Sequence, residues 1–210
     1  MDPQLYEKIM KGTTTVGVVC SDGVVMGCDS RATMDFFIAS TVARKIYKID
    51  DNLAITVAGS VGDAEEIIRI IKAQNELYKM NEGRPLSPKS AASLLSIILQ
   101  ENKMLPFYVQ LIVGGVGEDG PQLHSLDPIG GVSEEPQFTS TGSGSPIALG
   151  YLEDVYKKGA LTKDMIKNVV KAVSIAMKRD AATGNNITVA TITKEGYKEY
   201  TGKDIEKFLA

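Results

Sequence analysis

Blocks of β-forming sequence alternate with pairs of helical patterns along this 210-residue chain, and that order admits few folds. Thr14–Cys20, Val24–Cys28, Thr41–Ile49 and Leu53–Ala58 read as strands, rich in Val, Ile and Thr and bounded by turn residues. A helical pattern follows over Asp63–Met80, with Ala64, Ile67, Ile68, Ile71 and Tyr78 on one face. Ser87 caps a second helix opened by Pro88. Strands resume at Tyr108–Val116, Gln122–Leu126 and Gln137–Ser140. Ser145-Pro146 opens a third helix ending near Lys157, Lys158 and Gly159, and Thr162 caps a fourth with Ile166, Val169, Val170, Val173 and Met177 at helical spacing. Ile187–Thr193 and Tyr197–Thr201 complete the strands, and Lys203–Leu209 reads as a short tail helix. The pattern predicts one α+β unit, mostly antiparallel, with helices layered outside the sheets.

Composition removes several classes of function. A formal net charge of −3 disfavours a broad nucleic-acid-binding face. No apolar run approaches the roughly 18 residues that would read as a bilayer span. The opening residues carry Asp2, Glu7, Lys8 and Lys11 and lack an apolar stretch, so a secretory signal is not expected and the cytoplasm is the expected location. Cys20 and Cys28 flank a hairpin turn with Asp22-Gly23 at its tip; in that register Cys20 faces Met26 or Val25, and buried reduced thiols are expected.

Three motifs carry less than their spelling suggests. Gly115–Gly120 matches the dinucleotide fingerprint, but Pro121 and another strand follow where a helix is needed, so a hairpin is predicted. Ala58-Gly59-Ser60-Val61-Gly62 resembles a nucleophile elbow, yet its histidine would have to be His124, the one histidine of the chain. One histidine and two separated cysteines do not make a zinc ligand set.

The junction Gly12-Thr13, with Thr14 and Thr15 behind it, offers more coherent chemistry. A side-chain hydroxyl needs an adjacent base to become a nucleophile. If the Gly12–Thr13 bond is cut, Thr13 holds its own: an α-amine whose pKa of about 7.7–8.0 leaves it partly neutral at pH 7. A nearby lysine would hold that pKa down and stabilise developing negative charge, and an aspartate would keep the lysine oriented. Lys45 and Asp29 suit these roles, and Gly59, at a strand end before a helix, suits an oxyanion-binding N–H.

The segments Gly12–Gly17, Gly27–Thr33, Ala43–Ile46, Ala58–Ala64, Gly142–Ser145 and Arg179–Gly184, taken in order, resemble the β subunits of archaeal-type 20S proteasomes, within the amino-terminal-nucleophile hydrolases. The resemblance covers essentially the whole chain. It implies a four-layer αββα sandwich and a threonine-type endopeptidase, with residues 1–12 a propeptide removed by autolysis and 13–210 one catalytic domain. It implies Thr13 as nucleophile and base, Asp29 and Lys45 as its charge pair, the Gly59 amide as oxyanion donor, and Ser143, Asp180 and Thr183 around the amine and the catalytic water. Thr183 stands where the family usually has serine. Ala32, Thr33, Ala43, Val57, Gly59 and Val61 would line the substrate site, favouring bulky apolar side chains in a chymotrypsin-like manner, with Glu65 near the floor.

The resemblance further implies seven-membered β rings stacked between α rings, an ATPase ring feeding unfolded polypeptide, and no metal or organic cofactor. A non-catalytic ring subunit and a small-molecule amidase of the same superfamily are the alternatives; Thr13, Asp29, Lys45 and the Gly12 junction speak against the first.

Overall fold

In the computed structural model, which describes residues 12–34 and 36–209, the elements run in the predicted alternation. Strands β1 (Thr15–Val19), β2 (Gly23–Asp29), β3 (Ala32–Met34), β4 (Phe37–Ser40), β5 (Ile46–Asp50) and β6 (Leu53–Gly59) come first. Helices α1 (Val61–Glu82) and α2 (Pro88–Glu101) follow, then β7 (Val109–Gly117), β8 (Gly120–Leu126), β9 (Val132–Glu134) and β10 (Phe138–Thr141). Helices α3 (Ser145–Val155) and α4 (Thr162–Arg179), strands β11 (Ile187–Thr193) and β12 (Gly196–Tyr200), and helix α5 (Lys203–Leu209) complete the order.

Two five-stranded sheets form, ordered β10-β1-β2-β11-β12 and β5-β6-β7-β8-β9, with β3 and β4 pairing apart as a ribbon. Every pairing is antiparallel. Helices α1 and α2 cover the second sheet, placing Ile67, Ile71, Leu95 and Leu99 against Leu53, Ile55, Leu111 and Val113. Helices α3 and α4 cover the first, where Leu152, Val169 and Val173 meet Val16, Val18, Val25 and Val189. Val24, Met26, Cys28, Ala54, Ile112, Leu123 and Ile192 fill the space between the sheets. The result is the αββα sandwich. Because both faces of each sheet are covered, β2 is buried at every position and reads as an apolar run as far as Asp29. Each large side chain sealed in these layers contributes about 1.5–3 kcal/mol.

Local chemistry explains the boundaries. Ser60 caps α1 by accepting from the Asp63 N–H, and the Asp63 carboxylate accepts in turn from the Tyr108 N–H at 2.9 Å, tying the helix start to the head of β7. Ser87 caps α2 and Pro88 opens it. Gly117 and Gly120 face each other across the β7–β8 hairpin, so the fingerprint-like glycines make a turn.

Several boundaries differ from the sequence reading. The expected strand Thr41–Ile49 begins only at Ile46, because residues 41–45 carry the chain from the β3–β4 ribbon to the second sheet; there Ala43 N–H bonds the Ser30 carbonyl and Lys45 O accepts from Val57 N–H. The ribbon itself escaped notice because Met34 and Phe37 face outward and no alternating pattern marks it. Helix α3 stops at Val155, short of the lysines, as the Tyr156 ring packs edge-on against Phe138. Thr162 is the first residue of α4 rather than its cap; its N–H and hydroxyl both bond the Asp22 carboxylate, at 2.7 and 2.9 Å. The first hairpin turns on Ser21-Asp22, closed by Cys20 N–H to the Gly23 carbonyl, so Cys20 faces Gly23 instead of Met26 or Val25. Both cysteines are buried free thiols, each pushed up to about 12 chiefly by burial. Among the described residues, no helix is long and apolar enough to cross a membrane.

His124 lies in β8 opposite Val113, and its buried Nε2 has no partner. Burial holds the imidazole below its usual pKa; Glu134 and Glu135 pull it upward and Lys89 adds to the lowering. Above about pH 6.5 folded and unfolded chains are alike neutral here and the stability is intact; below it the unfolded chain takes up a proton that the folded one resists. Denaturant midpoints of the uncleaved chain are therefore expected to fall more steeply between pH 7 and pH 5 for the wild type than for His124→Leu. Parallel curves would remove His124 from the acid sensitivity.

Candidate active site

The first described residue, Gly12, holds φ +129°, a conformation a side chain would resist, and a Cβ there would lie 2.3 Å from Thr33 Oγ1. This bend folds the Gly12 carbonyl back over the next residue. Thr13 Oγ1 donates to it at 2.6 Å. Lys45 Nζ donates to the same oxygen at 3.3 Å. The peptide bond at the junction is thus flanked by a hydroxyl and an ammonium group, both buried.

Lys45 is held by Asp29, whose Oδ1 lies 2.8 Å from Nζ, with the two side chains 7% and 0% exposed. Asp29 Oδ1 also accepts from the Thr14 N–H at 2.9 Å. Its other oxygen, Oδ2, accepts from the N–H groups of Arg31 at 3.0 Å and Gly184 at 2.9 Å. A carboxylate removed from water needs such partners, because an uncompensated buried charge costs several kcal/mol. The Arg31 guanidinium reaches across to the same loop, donating from Nε to Asn185 Oδ1 and from Nη1 to the Ala181 carbonyl.

A second carboxylate closes the other side. Asp180, at the end of α4, accepts at Oδ2 from Ser143 Oγ at 2.6 Å and from Thr183 Oγ1 at 2.5 Å. Ser143 Oγ stands 3.4 Å from Thr13 N. Thr183 is fully buried, and its hydroxyl lies 2.7 Å from Thr14 Oγ1. One residue further on, Thr15 Oγ1 accepts from Thr56 Oγ1 of β6 at 3.1 Å and shares a 2.6 Å bond with Thr141 Oγ1, linking the two sheets beneath the junction.

The structure therefore gathers Gly12, Thr13, Asp29, Lys45, Ser143, Asp180 and Thr183 into one hydrogen-bonded group. Gly59 ends β6 at φ +131°, where a Cβ would strike the Tyr108 carbonyl at 2.1 Å. Ala32 and Thr33 lie half-buried on β3. Ala43 is half-buried and lines, with Cys28, Ser30 and Lys45, a cavity of about 390 Å³. Val61 is 54% exposed at the start of α1, with Glu65 about one turn further along it, whereas Val57 is buried in the core beneath that helix. Residues 1–11 of the expected leader lie outside the described residues.

Ser60 and His124 are not brought together: Ser60 sits beside Tyr108, just ahead of β7, and His124 beside Val113 within it, five residues on and roughly 17 Å away at the usual rise per strand residue. Among the described residues no cluster of His, Cys, Asp or Glu could hold a metal ion. Sequence reasoning missed four contributors: the Gly184 and Arg31 amides on Asp29, the Arg31 side chain on the 181–185 loop, and the Thr14 hydroxyl. Main-chain donors leave no mark in a residue pattern, and Thr14 reads only as a strand former.

Comparison with known proteins gives the group a context. A family model described as proteasome subunit matches residues 9–192. The chain is 51% identical to a protein of Methanocaldococcus vulcanius over 95% of this chain and 90% of that one. It is 52% identical to one of Methanothrix thermoacetophila, covering 95% and 96%, and 48% identical to one of Methanocaldococcus jannaschii, covering 96% and 90%. All three relatives are named proteasome subunit beta.

Removing one charge of the Asp29–Lys45 pair leaves the other buried without compensation, and an amide at position 29 also turns a donor toward existing N–H groups. Asp29→Asn is expected to lose about 3–5 kcal/mol in denaturant unfolding of the uncleaved chain. A loss under ~1 kcal/mol would show that water reaches Lys45.

Proposed function

The chain belongs to the proteasome subunit family, and from that footing we propose that it is a catalytic β-type subunit of a proteasome core, a threonine peptidase that frees its own nucleophile. The observation that carries this reading is the Gly12 carbonyl oxygen, which receives both the Thr13 hydroxyl and the Lys45 ammonium. Gly12 stands in the bend that allows this approach.

In the self-cleavage, Thr13 Oγ adds to the Gly12 carbonyl carbon and its proton passes to a water, which hands one on to the Thr13 nitrogen. The Thr13 nitrogen takes up a proton as its bond to Gly12 breaks, leaving Gly12 esterified to Thr13 Oγ. Water hydrolyses the ester, releasing residues 1–12 with a new carboxylate and leaving Thr13 with a free amine and hydroxyl. In turnover that amine, acting through a water, accepts the Thr13 hydroxyl proton as Oγ attacks a substrate carbonyl. The Gly59 N–H would receive the developing oxyanion. The amine then returns its proton to the departing nitrogen, and a second water clears the acyl ester. Lys45, fixed by Asp29, supplies positive charge beside Oγ, while Ser143, Asp180 and Thr183 order the amine and water.

Ala32, Thr33, Ala43, Val57, Gly59 and Val61 would accept an extended peptide with a bulky apolar residue before the scissile bond. The subunit would work in seven-membered rings between α rings in the cytoplasm, fed by an ATPase ring, without metal or cofactor of its own. Co-expression with the α subunit of the same source tests the core of this. The wild type is expected to lose twelve residues by intact mass and to hydrolyse apolar peptides, while Thr13→Ala keeps its leader and turns nothing over. Lys45→Ala is expected to reduce peptide hydrolysis by about 10²–10⁴-fold. A Thr13→Ala subunit that shed its leader without active neighbours would exclude Thr13 as the nucleophile.

A further inference from the structure

Hydrogen-bond directions around Asp180 assign a role to Thr14 that its position in a strand-like run conceals. A carboxylate only accepts, so Thr183 must spend its single hydroxyl proton on Asp180 Oδ2, at 2.5 Å. Thr183 Oγ1 can then only accept from Thr14, which makes Thr14 Oγ1 the donor in their 2.7 Å bond. The same holds on the other arm: Ser143 spends its proton on Asp180 Oδ2, at 2.6 Å, and is left to accept from Thr13 N at 3.4 Å. Two one-way chains therefore converge on one carboxylate oxygen, from Thr14 through Thr183 and from Thr13 through Ser143.

Thr14 is tied at its other end as well. Its N–H donates to Asp29 Oδ1, the oxygen that also holds Lys45. Its hydroxyl is sealed: a Cβ on Gly144 would lie 2.0 Å from Thr14 Oγ1 and 3.1 Å from Thr183 Oγ1, so position 144 leaves room for this bond and nothing larger. Thr14 is completely buried.

We propose that Thr14 is a positioning residue whose backbone N–H and side-chain hydroxyl couple the Asp29–Lys45 pair to the Asp180–Ser143–Thr183 group, and so set the Thr13 nitrogen against its own hydroxyl. Rather than touching substrate, it acts through Thr183 and Asp180. The inference rests on the reading of Thr13 as a self-freed nucleophile. In a water-excluded site a donated hydrogen bond makes its acceptor a better donor, so the Thr14 hydroxyl strengthens the Thr183 bond to Asp180 and fixes that carboxylate toward Ser143.

The test compares side chains that differ by the hydroxyl alone, in particles co-expressed with the α subunit: wild type against Thr14→Val, and Thr14→Ser against Thr14→Ala. Within each pair, the member lacking the hydroxyl is expected to show about tenfold lower kcat on a peptide substrate, the size of one net hydrogen bond, with KM little changed. The double variant Thr14→Val/Thr183→Val should cost scarcely more than Thr183→Val alone, because the Thr14 hydroxyl acts only through Thr183. If Thr14→Val does not assemble, the Ser and Ala pair decides. Equal kcat within the pairs, or a loss confined to KM, overturns the proposal; so do fully additive losses with Thr183→Val. A wild type that keeps its leader and turns nothing over would instead defeat the nucleophile reading itself.

Discussion

The Asp29 carboxylate is the fixed point of this molecule. It is sealed from water at the end of β2 and answered by four donors from four parts of the chain: Thr14 at the approach to β1, Arg31 beyond its own strand, Lys45 before β5, and Gly184 after α4. Other bonds hold these segments too, among them Ala43 N–H to the Ser30 carbonyl and the Arg31 guanidinium to Asn185 and Ala181, but Asp29 is where the four meet. The β1 approach must be straight enough to present an N–H, and the 41–45 crossing must turn so that Lys45 comes inward. The loop after α4 must close on a main-chain amide. Burying one negative charge thus organises three connections that secondary structure alone leaves free.

The sandwich explains why such a group can sit at a sheet end. Four layers cover both faces of each sheet, so side chains along β1, β2, β6 and β7 are committed to packing. Polar chemistry is displaced to the strand ends, where β1 starts and β2 and β6 finish. There the group draws on both sheets, with Thr13 and Asp29 on the first, and Lys45 at the entry to β5 of the second.

The layered fold was legible because period and punctuation agree: Ile67, Ile68 and Ile71 repeat at helical spacing, Ser87-Pro88 announces a start, and β-branched runs stop at turn residues. The bounds of α1 and the start of α2 were nearly right for the same reason. What escaped was structure made without burial, such as β3 and β4, whose apolar residues face outward, and β9, three exposed residues long. Thr162 misled because a threonine before a helical stripe has the form of a cap, while its bonds go to Asp22. At the junction, Thr13, Asp29 and Lys45 stood out because their residue types make sense only together. Gly184 and Thr14 did not, since a main-chain amide and a strand threonine look alike wherever they occur.

The three threonines in succession each face a different neighbour, and Thr15 has the most mechanical consequence. Its bond from Thr56 crosses between layers whose centre is filled by apolar contacts such as Met26, Ile112 and Leu123. Interdigitated apolar side chains set the spacing of two sheets, whereas a directional bond also fixes which residue stands opposite which. Together with the Gly142 N–H bond to Gln110 Oε1 and the Asp29–Lys45 pair, the Thr56–Thr15 bond keeps the half of the molecule bearing Thr13 in register with the half bearing Lys45, so the reach of that lysine to the junction depends on how the two sheets are aligned.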